Sequence, residues 1–65
     1  MTYYHISYDI ITKAGGQRTY RRRFEDNDKA VDFARKKASE SNVKDVRGFE
    51  HDDRGDVVFV FRMAL

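Results

Sequence analysis

The chain has 65 residues, no cysteine, no proline and a net charge of +2. A single domain of that length buries only about 60% of the surface its unfolded form exposes. Without cysteine it has no disulfide and no thiolate metal ligand, so packing alone must hold it together. Four tyrosines and five phenylalanines supply that packing, since each ring buries a large area.

The charge is uneven. Residues 1–25 carry five basic against two acidic side chains, residues 26–41 four against four, and residues 42–65 four against five. The longest apolar run, Val57 to Phe61, is far too short for a membrane span. The opening MTYYHISYD lacks the basic and apolar regions of a signal peptide, so the reading is a soluble cytoplasmic protein with no membrane contact.

A first strand is predicted over about residues 3–12. Tyr4, Ile6, Tyr8 and Ile10 share one face, and His5, Ser7 and Asp9 share the other. Ala14-Gly15-Gly16 then marks a turn, followed by a second strand over about 18–25. A three-residue loop, Ala14 to Gly16, places Tyr20 and Phe24 on the apolar face. It pairs Ile10 with Tyr20, Tyr8 with Arg22 and Ile6 with Phe24. On the opposite face it pairs Asp9 with Arg21 and His5 with Glu25.

A helix is predicted over about 28–40, opened by Asp26, Asn27 or Asp28 as N-cap. Ala30, Phe33, Ala34, Lys37 and Ala38 form its packing stripe. A third strand follows over about 44–51 and a fourth over about 56–64, joined at Asp52-Asp53-Arg54-Gly55. Val57, Phe59, Phe61 and Met63 form the core face of the fourth strand. Val58 and Val60 make its other face apolar too, which points to a central or covered strand. Two registers compete for this hairpin. An odd loop sets Phe49 opposite Phe59. An even loop turns Val46 and Gly48 inward and sets Phe49 beside Val58 on the outer face. The even loop is preferred because it buries Val46 and lets an aromatic cross Gly48. The fold class is α+β: a ββαββ domain with a four-stranded, mainly antiparallel sheet and one helix on one face.

Catalytic chemistry is poorly represented. The only histidines are His5 and His51, and no serine sits in a nucleophile motif. His51, Asp52, Asp53 and Asp56 lack the calcium-loop pattern and read as a hairpin turn. Gly15-Gly16 lacks the lysine and helix of a phosphate loop. The expectation is a non-catalytic protein without metal or cofactor.

Two surfaces are candidates for binding. The basic second strand offers Lys13, Arg18, Tyr20, Arg21, Arg22 and Arg23, a combination of guanidinium and ring suited to nucleic acid. Register divides it, with Arg21 paired to Asp9 and Arg22 laid over Tyr8, so that Arg23 and Arg18 remain foremost for a partner. Its alternative role is protection of an open sheet edge by charge. The outer sheet face offers Tyr3, Ile11, Phe49, Val58 and Val60, a candidate contact for a protein or for a homodimer. The expected function is a small binding module acting on a protein or nucleoprotein partner, with nucleic-acid binding as the alternative.

No sequence motif identifies a family. As architecture alone, the ββαββ order, the small size and the lack of a catalytic motif resemble small proteins of phages and mobile elements. Certain anti-CRISPR proteins among them act by occupying a surface of a host complex. That resemblance implies an inhibitor or accessory role and assigns no residue.

Overall fold

The computed structural model describes residues 2–62. Its elements are β1 (Tyr3–Ile11), β2 (Gln17–Phe24), α1 (Asn27–Ala38), β3 (Val43–His51) and β4 (Val57–Arg62). The strands form one antiparallel sheet in the order β2-β1-β3-β4. The helix packs on one face and the other face is open. The expected Met63 and Ala64 of the last strand lie outside the described residues.

The helix starts where its cap is strongest. Asp26 Oδ1 accepts from the backbone N–H groups of Asp28 at 2.8 Å and Lys29 at 3.4 Å, satisfying donors that the first turn leaves free. Ala30, Ala34 and Ala38 form one buried row. Their small side chains let the helix approach Ile6, Val43 and Val46, which complete the buried core. Phe33 anchors one flank, with its ring 5.1 Å from Phe24 and 5.7 Å from Tyr8.

Both hairpins use the same turn. Thr12 N donates to Gly16 O and Gly15 N donates to Thr12 O, with Gly15 at φ 83°. Asp52 N donates to Asp56 O and Gly55 N to Asp52 O, with Gly55 at φ 86°. Each is a three-residue loop whose last residue occupies the left-handed region, which glycine enters without strain.

The first turn lies one residue earlier than predicted, at Lys13–Gly15 in place of Ala14–Gly16. The pairs are therefore Tyr4 with Phe24, Ile6 with Arg22 and Tyr8 with Tyr20, and on the other face His5 with Arg23, Ser7 with Arg21 and Asp9 with Thr19. Moving the loop by one residue moves the register by two, so every face assignment survives and every predicted pair changes. Thr12 helps close the earlier loop, its hydroxyl accepting from Gly16 N at 2.9 Å. Thr19 and Gln17 are thereby brought within reach of the Asp9 carboxylate.

The second hairpin combines both readings. Its loop is odd, but β4 carries one extra residue, Val58, between the pairs Glu50–Phe59 and His51–Val57. This bulge restores the preferred facing: Val46 and Gly48 are buried toward the helix, and Phe49 pairs with Val60. It also turns Val57 away from the predicted core face and into a cleft on the open face. A second bulge places Asp45 and Val46 opposite Tyr8, with Asp45 at φ 54°. Bulges bend a strand and strengthen its twist. β4 is an edge strand, contrary to the central or covered position expected. Its outer face has no cover, and Val58 and Val60 remain 55% and 48% exposed.

Candidate functional site on the open sheet face

Alternation puts Tyr3, His5, Ser7 and Asp9 of β1 on the open face. The register sets Arg23, Arg21 and Thr19 of β2 beside them, with His51, Phe49 and Arg47 of β3 on the other side. A cleft of about 420 Å³ lies among His5, Ser7, Thr19, Arg21, Arg47, Phe49, His51 and Val57.

Its first wall is a histidine pair. His5 Nδ1 lies 3.0 Å from His51 Nε2, and His51 Nδ1 lies 3.0 Å from the Gly55 carbonyl oxygen. The carbonyl only accepts, so neutral His51 carries its proton on Nδ1 and presents a lone pair at Nε2. His5 must then donate from Nδ1. Tyr3 stacks on the His51 ring at 4.6 Å with planes 3° apart, and Arg23 covers Tyr3 at 4.2 Å. Burial lowers the His5 pKa, and the nearby charges of His51, Arg21 and Arg23 lower it further. His5 therefore has His51 for a partner, and the predicted pairing with Glu25 does not form.

The floor is polar and internally satisfied. Thr19 Oγ1 donates to Asp9 Oδ1 at 2.7 Å, and Gln17 Nε2 donates to Asp9 Oδ2 at 2.8 Å. The Thr19 bond is the main reason the Asp9 carboxyl stays below the usual carboxylate range, with Gln17 and Arg47 adding to it against the opposing effect of burial. Arg47 Nη2 sits 3.8 Å from Asp9 Oδ1 and donates to Ser7 Oγ at 3.4 Å. The partner predicted for Arg21 is thus engaged by Thr19, Gln17 and Arg47. Arg21 is exposed at the cleft and has no ion pair among the described residues.

The remaining arginines divide by face as expected, with one change of contact. Arg22 lies over Phe33 at 5.2 Å and Phe24 at 5.5 Å, not over Tyr8. Tyr8 instead meets Lys37 at 5.2 Å and stacks on Tyr20 at 5.8 Å. Lys13, Arg18 and Tyr20 are exposed along the turn and the helix side of the β2 edge. Besides its place over Tyr3, Arg23 has a loose ion pair with Glu25, at 4.0 Å.

The predicted apolar surface is interrupted. Tyr3 and Ile11 stand at opposite ends of β1, about 27 Å apart at the usual strand rise. The polar cleft lies between them. Phe49, Val57 and Val60 make a smaller apolar flank on the β3–β4 side.

Sequence reasoning missed the histidine pair, Ser7, Thr19, Arg47 and Val57. His5 and His51 are 46 positions apart, and only the β1–β3 pairing makes them neighbours. Among the described residues no group of three or more His, Asp or Glu side chains is arranged to hold a metal. His51 is turned to His5 and Gly55, while Asp52 Oδ1 accepts from Arg54 N and Asp56 N inside the turn. No described helix is long and apolar enough to cross a membrane. Comparison with protein-family models, with curated proteins and with solved structures finds no match.

Proposed function

We propose that this chain is a non-catalytic binding module that docks on a nucleoprotein partner and grips its nucleic-acid component with the open sheet face and the β2 edge. One observation carries the reading: Arg21 stands at the cleft without a carboxylate, because Asp9 is occupied by Thr19, Gln17 and Arg47. Arg23 adds a second cation on the same face, held against Tyr3. Arg18 continues the charge along the same edge. Guanidinium groups beside exposed rings suit phosphate pairing and base stacking.

The test is binding of the intact protein to a single-stranded oligonucleotide over a range of salt. Affinity should fall steeply with salt and drop further in Arg21→Ala/Arg23→Ala. Salt-independent binding, or equal affinity in the double variant, would remove the basic surface from the function.

A protein partner is the second reading. Val57, Val58 and Val60 are 49%, 55% and 48% exposed on an edge strand. Apolar side chains on an open edge favour contact with another chain.

A further inference from the structure

The cleft contains two unmet demands. His5 donates from Nδ1 to His51, so its Nε2 keeps a lone pair, and that atom has no hydrogen-bond partner among the described residues. Arg21 has donors and a charge without a carboxylate. The two belong to neighbouring strands on one face: Arg23 is opposite His5, and Arg21 is opposite Ser7 two positions along. Arg47 is held by Asp9 and Ser7, which leaves Arg21 as the cleft-lining arginine that is not engaged.

A ligand that satisfies both must offer a hydrogen-bond donor next to an anion. The ribose of RNA does so, because its 2′-hydroxyl donates and adjoins the 3′-phosphate. Deoxyribose supplies the phosphate without the donor. The cleft volume of about 420 Å³ lies within the usual range for small-ligand pockets. Phe49 and Val57 give it an apolar wall for sugar or base. A base stacks on that wall only from an unpaired strand, the form in which RNA bases are usually read.

We propose that the cleft reads the sugar of single-stranded RNA, with His5 Nε2 accepting from a 2′-hydroxyl and Arg21 pairing with the adjacent phosphate. This rests on the nucleic-acid reading above and adds discrimination to it. The histidine pair fixes the sense of recognition: Gly55 orients His51, and His51 leaves Nε2 of the cleft-lining His5 ring as an acceptor.

The test compares one sequence made as RNA, as DNA and as 2′-O-methyl RNA, by fluorescence anisotropy at one salt concentration. RNA should bind about threefold to tenfold tighter than the other two, the value of one neutral hydrogen bond. The 2′-O-methyl strand cannot donate, so the comparison needs no altered protein. His5→Phe should abolish the preference for RNA over DNA and over 2′-O-methyl RNA. Arg21→Gln should weaken all three strands alike. Equal binding of RNA and DNA by the unaltered protein would overturn sugar recognition and leave nucleic-acid binding standing. Preference for RNA that persists with 2′-O-methyl RNA or in His5→Phe would also overturn it. Absence of binding to every strand would overturn both proposals.

Discussion

His5 and His51 share one hydrogen bond across the β1–β3 pair, 3.0 Å between Nδ1 and Nε2. The His5 pKa lies below its ordinary value of 6.5, first through burial and then through His51, Arg21 and Arg23. The unfolded chain therefore takes up a proton at His5 at a higher pH than the folded chain does. The stability linked to His5 is full above about pH 6.5 and falls as the pH drops below it. It levels off only beneath the lowered value of the folded state. Urea midpoints between pH 7.5 and 5.5 should decline, and the decline should shrink in His5→Phe. An identical decline in that variant would place the linkage elsewhere.

Gly48 pairs with Phe61, and a Cβ added at Gly48 would overlap the Phe61 ring. The ring is itself packed against the buried core. Gly48→Ala should cost about 1–3 kcal/mol, the usual range for overpacking. Thermal unfolding should show the loss as a lower Tm, by about 4–8 °C for each kcal/mol in a domain this small. An unchanged Tm would mean that the ring relocates freely.

The Asp26 carboxylate accepts from Asp28 N and Lys29 N at the start of α1. Asp26→Ala should destabilise by about 1 kcal/mol, while Asp26→Ser should recover most of the loss. Chemical denaturation of the two variants side by side distinguishes a lost cap from a lost charge. If both fall equally, charge near the helix dipole is the larger effect.

Val60 is 48% exposed on the outer face of β4, opposite Phe49. Val60→Lys should leave folding stability within about 0.5 kcal/mol, as is usual for a surface substitution. It should weaken any protein contact or self-association made through the Phe49–Val57–Val60 flank. Sedentation behaviour on ultracentrifugation and partner capture, each compared with the parent chain, check this. Unaltered association would exclude the flank as an interface.

Local patterns were enough to predict the elements. Alternation marked the strands, the alanine stripe and Asp26 marked the helix, and two glycine turns marked the hairpins. Face assignments in β1 and β2 were also legible, because a period of two survives a two-residue change of register. The edge-strand reading of the charged β2 agrees with its place at one end of the sheet, though strand order itself was not legible.

The site itself was not legible, because each of its parts depends on long-range pairing. Strand order sets His51 beside His5 and leaves β4 at an edge. The extra residue in β4 sends Val57 to the open face. The first turn, closed one residue earlier, gives Asp9 to Thr19 and leaves Arg21 without a carboxylate. Which residues share a face within β1 and β2 follows from strand geometry along the chain and could be read from the amino acids in order. Which charges and rings meet across strands came from the folded pairing, since one residue of loop or bulge changes every such partner.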